Sequence, residues 1–488
     1  MHSYHIFYFP FKWDVLDAKD NDLSARLSLA NIKPKTGTNW INVGSSNEEE
    51  KKALYDEKNY FYKFVHPILY DTFQETSLLK HFKRKECNLA ADVCEYRITV
   101  SQNNKILEYV LKIDAINLSL YSTGVGILVF YLINEKYGNY DDVLNINQYG
   151  RRVFPPFFDD IEKRVQTAES ISITGLYGAE SRYSEDFSKY TFDDAWKPAC
   201  FITNLIADLQ EDLIVSPVVD DRMFVNCWYQ SAELGRKIAQ KGLWENFIYS
   251  SQWYRFLFID KGNDTASCQN EKLSRQLIDD TTYLRWQSFG SVFGATKYSF
   301  VLVTEKSWYN EHILSVNMRT IYSRMVELVI IQRATMLKFS EEVTHLSVIK
   351  SQNTQLLSGR ISSLYKEYIR FINKMFFRDI TAQDQGDELY RLLTSQFQSE
   401  ERIKELDKEI NELNEYVTLL MDESRNKHAQ WMSILASIFL PATIISGIFG
   451  MNSFNTDFCV RDFSIQVLIS VLITLITILI LRKKLWVR

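Results

Sequence analysis

Residues 431–452 read WMSILASIFLPATIISGIFGMN. From Trp431 to Phe449 this stretch has no charged side chain, and its 19 residues would span roughly 28 Å as a helix, just enough to cross a bilayer. A second uncharged run of the same length, Phe463 to Leu481 (FSIQVLISVLITLITILIL), follows a short loop, so the two read as a membrane hairpin. Arg425 and Lys427 precede the first run, and Arg482, Lys483, Lys484 and Arg488 follow the second, whereas the loop sets Arg461 against Asp457 and Asp462. By the positive-inside rule both termini are expected in the cytosol.

The two runs differ in composition. The second is Leu, Ile and Val with sparse Ser and Thr, as in lipid-facing helices. The first places Ser433, Ser437, Leu440, Thr443 and Gly447 at separations of three and four residues, hence on one helical face. Such a stripe packs small residues against another helix or lines water, and spacing by itself favours packing. On that reading the hairpin would be a plain anchor for a soluble domain.

Gly450, Met451 and Asn452 follow the first run directly. Here the sequence resembles the CorA family of magnesium and divalent-cation channels, which carry Gly-Met-Asn at the outer end of the first transmembrane helix, usually after Tyr; this chain has Phe449 instead. A three-residue motif is weak alone, but it lies between a long charged helix and a basic tail, as in that family. The resemblance implies a homopentameric funnel in the cell inner membrane, with Mg²⁺ or another divalent cation as permeant ion. It also implies a pore lined by Asn426, Leu440, Thr443, Gly447 and Asn452, extending the stripe seen in the spacing. Leu440 is the candidate hydrophobic constriction, and Pro441 beside it could kink the helix. Mg²⁺ gives up its water reluctantly, so a ring of neutral Asn452 amides suits a hydrated ion, accepting hydrogen bonds without holding the cation too tightly to release. The plainer role for Asn452 is to end the helix after Gly450. The outer loop, SFNTDFCVRD from Ser453 to Asp462, lacks the acidic Met-Pro-Glu segment common in the family, which leaves ion capture at the mouth open.

Upstream, no proline occurs between Val218 and Leu440. From about Asp387 the pattern reads as one helix entering the first span, and Ile403, Leu406, Ile410, Leu413, Val417 and Leu420 form a heptad seam facing a neighbouring stalk or the chain itself. Residues from Ile313 to about Phe377 also read as helical, and TAQDQGD with Gly386 reads as the turn between the two arms. Glu400 to Glu423 hold nine acidic and three basic side chains, a pattern that fits a solvated helix face better than a metal sensor. No metal site is assigned from sequence.

The expected organisation is an α/β cytosolic domain over residues 1–310, a helical stalk over 311–430 and the transmembrane hairpin over 431–488. Strands are expected at Tyr4–Phe11, Tyr96–Val100, Ile106–Ile113, Gly126–Leu132 and Lys297–Thr304, with a turn at Gln102–Lys105. At 488 residues, 46% hydrophobic and with a formal charge of −5, the chain can build full-sized cores and has no general attraction to nucleic acid. The six cysteines form no CxxC pair, and the N-terminal segment lacks the basic and apolar regions of a signal peptide. Walker, HExxH and nucleophile-elbow patterns are missing, and the seven histidines show no metal spacing, so no enzyme is read from the sequence.

Two features could bind a ligand. Arg151 and Arg152 follow a polar turn and could hold a phosphate, although a salt-bridged pair is the ordinary reading. Gly290 and Gly294 flank SVF, where a bend explains them as well as a ligand does. The large domain and the opening Phe9-Pro10-Phe11-Lys12-Trp13 resemble a divergent CorA branch associated with type III CRISPR systems. That resemblance implies an antiviral effector channel gated by a nucleotide second messenger, S-adenosylmethionine joined to AMP. The alternatives are a housekeeping Mg²⁺ transporter closed by intracellular Mg²⁺, and a non-conducting membrane-anchored scaffold.

Overall fold

A computed structural model describes residues 1–15, 29–43, 48–70, 77–85, 93–102, 105–155, 167–177, 180–191, 196–261, 265–348 and 354–452, with short pieces of 464–476. Its organising element is strand β1 (Ser3–Val15), a near-continuous apolar run of the kind expected where both faces of a sheet are covered. Side chains alternate along it: Phe7, Phe9, Phe11 and Trp13 enter one hydrophobic core, while Tyr4, Ile6 and Tyr8 enter a second on the opposite face.

The other strands are β2 (Trp40–Asn42), β3 (Leu79–Arg84), β4 (Glu95–Gln102), β5 (Lys105–Tyr121), β6 (Val125–Asn134), β7 (Ser170–Thr174), β8 (Ser184–Asp186), β9 (Leu213–Pro217), β10 (Phe224–Gln230), β11 (Thr282–Tyr283), β12 (Ser291–Ala295) and β13 (Ser299–Thr304). The described strands form one sheet in the order β11-β12-β13-β10-β1-β6-β5-β4-β7-β8, with β2 beside β3, β3 on β5 and β9 on β1. Only the β10–β13 pair among them is parallel. Pro10 is tolerated inside this central strand because β10 pairs with β1 as far as Tyr8 and β9 takes over at Phe11, so its missing N–H falls where the neighbour changes. All five stretches expected to be strands lie within or largely overlap observed ones.

On the first face lie helices α1 (Tyr140–Gly150), α2 (Cys200–Ala207) and α3 (Ser251–Phe258). On the second lie α4 (Ile321–Val348), α5 (Thr354–Lys374), α6 (Asp384–Gln396) and the beginning of α7 (Ser399–Asn452). The chain separates into two compact units: residues 1–348 with 362–410, and residues 349–361 with 411–488. The first unit thus runs well past residue 310. In the second, Leu357, Ile361 and Val417 are buried, and the Ser358 hydroxyl lies 3.0 Å from the Met421 sulfur.

Three details differ from expectation. The helix read from Asp387 into the apolar run is interrupted: α6 ends at Gln396, Gln398 adopts φ 52°, and α7 begins at Ser399. Neither Gly nor Pro marks the break; Phe397 is drawn into the core against Phe224, under the Arg333 guanidinium at 4.7 Å, and the backbone turns to allow it. Gly386 lies inside α6 rather than in the turn, where a Cβ would come within 2.3 Å of the Tyr60 hydroxyl; the turn itself spans 375–383. Finally, the SVF between Gly290 and Gly294 is itself part of β12. Gly290 turns into it at φ 69°, and Gly294 abuts Leu257 and Trp253, so packing accounts for both glycines.

The seam on α7 folds partly onto its own chain. Leu406 and Ile410 are buried in the second core, and the Tyr368 hydroxyl donates to Asp407 Oδ1 at 3.1 Å.

Candidate functional site

Helix α7 is 54 residues long and ends at Asn452, so Gly450, Met451 and Asn452 form its last turn. Their side chains, the loop 453–462 and much of 463–481 lie outside the described residues. Earlier on the helix, Asn426, Leu440, Thr443 and Gly447 are all exposed in the single chain. The Thr443 hydroxyl donates to the Leu440 carbonyl at 2.9 Å, and Ser437 to the Ser433 carbonyl at 2.8 Å. These hydroxyls are therefore satisfied within the helix and add little polarity to its surface.

Trp431, Met432, Leu435, Phe439, Leu440 and Ile444 are also exposed. An uncovered apolar surface of this extent calls for lipid or protein to cover it. Among the described residues no helix is long and apolar enough to cross a membrane; parts of both apolar runs are not among them.

In the α/β unit the structure separates Arg151 from Arg152 by their partners. The last two turns of α1, Val143 to Gly150, are buried although they carry Asn145, Asn147 and Gln148, and both arginines that follow are 2% exposed. Backbone bonds from Met223 to Arg151 (2.7 Å) and from Val153 to Asp221 (2.9 Å) hold this corner against the start of β10. Arg152 donates to Asp221 Oδ2. Arg222 shares that carboxylate at 3.0 Å and reaches Asp220 at 3.2 Å. Among the described residues Arg151 touches no carboxylate: its Nη2 donates to Gln148 Oε1 at 2.9 Å and, weakly, to the Ile259 carbonyl at 3.5 Å. Among the described residues its Nε and Nη1 have no acceptor. Burial, reinforced by the like charges of Arg152 and Arg222, depresses the Arg151 guanidinium well below its ordinary value. Each orphaned buried donor costs about 1–3 kcal/mol.

A second buried cluster, missed in the sequence, joins α4 to the sheet. Glu327 accepts from Ser119 at 2.9 Å, Tyr121 at 3.0 Å and Arg324 at 3.1 Å, while Arg324 also reaches Glu57 at 3.3 Å. Burial opposes the Arg324 charge, but Glu327 and Glu57 outweigh it and raise the guanidinium well above its usual value. Arg324 and Glu327 were visible as an i, i+3 pair, whereas Glu57 is 267 residues from Arg324 and gives no local signal.

The α/β unit also has a cleft of about 640 Å³ beside Phe258, Lys297, Tyr298, Gln396 and Gln398. A smaller groove of about 220 Å³ runs along Glu401, Glu405 and Glu409. Among the described residues no group of three or more acidic, His or Cys side chains is placed to hold a metal ion.

A helical segment thus leads through a 54-residue helix into a terminal Gly-Met-Asn turn. Residues 322–483 match the family described as CorA-like Mg²⁺ transporter protein, so this segment is similar to that family. The match begins at the second residue of α4 and takes in both apolar runs; residues 1–321 lie outside it. No curated protein matches the chain.

Proposed function

We propose that this chain is the subunit of a CorA-like cation channel of the inner membrane, conducting Mg²⁺ or another divalent cation. The observation that carries the reading is the ending of α7, within the matched segment, at Gly450-Met451-Asn452. Residues 431–449 form the pore helix and 463–481 the outer helix, with both termini cytosolic. One such helix cannot enclose a pore, so copies of the chain assemble with first spans inside, five of them by analogy with the family. Asn452 amides present neutral acceptors to a hydrated ion, and Leu440 supplies an apolar ring that closes the path by excluding water.

The α/β unit is the sensing part of this proposal. It extends well beyond the matched segment, and α7 contributes residues to both compact units, so binding in one has a covalent route to the other. A ligand gates only by binding the open state better than the closed one. The proposed ligand is a nucleotide second messenger, S-adenosylmethionine joined to AMP, and the proposed setting is an antiviral type III CRISPR response in which opening dissipates ion gradients.

The test is ion flux through purified protein in liposomes, with Mg²⁺ varied, with the nucleotide present or absent, and with Asn452→Ala alongside. Nucleotide-dependent flux lost in the variant is expected. Flux that ignores the nucleotide and closes with Mg²⁺ would make the protein a Mg²⁺ transporter, and no flux from well-folded oligomers would leave a membrane-anchored scaffold.

A further inference from the structure

The arginine corner at the end of α1 carries a charge imbalance. Among the described residues, three guanidiniums, Arg151, Arg152 and Arg222, face two carboxylates, Asp220 and Asp221, and both carboxylates are engaged by Arg152 and Arg222. Arg151 therefore keeps a full positive charge at 2% exposure, together with the three N–H bonds of its unpartnered Nε and Nη1. Its two acceptors, an amide and a carbonyl at the end of α3, are neutral groups offering only partial charge. A water molecule would meet the donors but not the charge. An anion meets both, and planar guanidinium donors suit tetrahedral or planar oxyanions.

We propose that Arg151, and not the Arg151–Arg152 pair, is the binding group of a buried oxyanion site in the α/β unit, occupied by a phosphate-type group that is either free or part of a larger ligand. This deepens the ligand-sensing reading above by naming the residue and the chemistry it holds. Arg152 is a structural residue on this account, locked to Asp221.

The experiment is thermal unfolding of the full chain in nanodiscs, titrated with inorganic phosphate and with AMP against chloride at matched ionic strength and pH, for wild type, Arg151→Met and Arg151→Lys. Phosphate or AMP is expected to raise the wild-type midpoint by several degrees in a saturable way. Arg151→Met should abolish that response and unfold no earlier than anion-free wild type, because it removes an unpaired buried charge. Arg151→Lys should need about tenfold more anion, having lost the planar donor set. A response to AMP at lower concentration than phosphate means the group is part of a larger ligand; the reverse means a free ion. Equal shifts in wild type and Arg151→Met, or no shift in wild type, would overturn the proposal. Should Arg151→Met not fold, an unchanged half-saturation in Arg151→Lys overturns it. Binding is read here without flux, so failure of the channel reading would leave this result standing, and the converse also holds.

Discussion

His5 offers a sharp test of how β1 and α1 are locked together. Its ring is fully buried, with Nδ1 2.7 Å from Asn147 Oδ1 and Nε2 2.8 Å from the Ser3 hydroxyl. The neutral tautomer fits: Nδ1–H donates to the Asn147 carbonyl, and Nε2 accepts from Ser3. Burial lowers the imidazole from 6.5 to about 4, with the Asn147 bond opposing only part of the effect. Below pH 6.5 the unfolded chain binds a proton that the folded chain refuses, so stability falls as pH drops and is fully present only above that value. The shift corresponds to about 3 kcal/mol lost between pH 6.5 and 4. The assay is denaturant unfolding of wild type and His5→Gln across that range, read by the buried Trp13, Trp228 and Trp253. Carboxylates titrating in the same window cancel in the difference between the two proteins. That difference should fall by about 1.4 kcal/mol per pH unit. A flat difference, or one that grows toward acid, would refute the assignment of His5 as a buried neutral group.

Other outcomes follow from the same structure. Glu327→Ala strips acceptors from Ser119, Tyr121 and Arg324 and should cost about 3–5 kcal/mol; adding Arg324→Met should recover part of that loss, as a double-mutant unfolding cycle would show. Gly235→Ala should cost roughly 1–3 kcal/mol, because its Cβ would lie 2.3 Å from the Glu305 Cα, a backbone atom that cannot swing aside; the unfolding midpoint reads it directly. Leu440→Ser should raise ion leak through liposomes in the absence of any ligand if Leu440 is the constriction, and unchanged leak would remove it from that role.

The helical character of the C-terminal region as far as Asn452 is legible residue by residue, because the relevant forces act over a few turns. Two uncharged 19-residue runs with basic flanks and small residues at helical spacing need no distant partner to be recognised, and residues 322–483 match a CorA-like family. Several strands of the α/β unit were equally readable, since alternation along Tyr4–Phe11 or Gly126–Leu132 is written locally. Strands such as β10 and β12 were not picked out, and neither was the break at Gln398, which no Gly or Pro announces.

What the amino-acid sequence determined by itself, then, was the periodic and compositional part: two uncharged apolar runs, the Gly-Met-Asn that follows the first, and a helical approach to it. Only the tertiary structure decided which buried charges find partners. Arg151 and Arg152 are neighbours of identical type, yet one meets Asp221 and the other does not, because residues about 70 positions away and the end of α3 are brought to that corner by the pairing of β10 with β1. Local sequence can place a guanidinium at a helix end. Its free energy there depends on groups that only the folded sheet delivers, in surroundings where water no longer screens the charge.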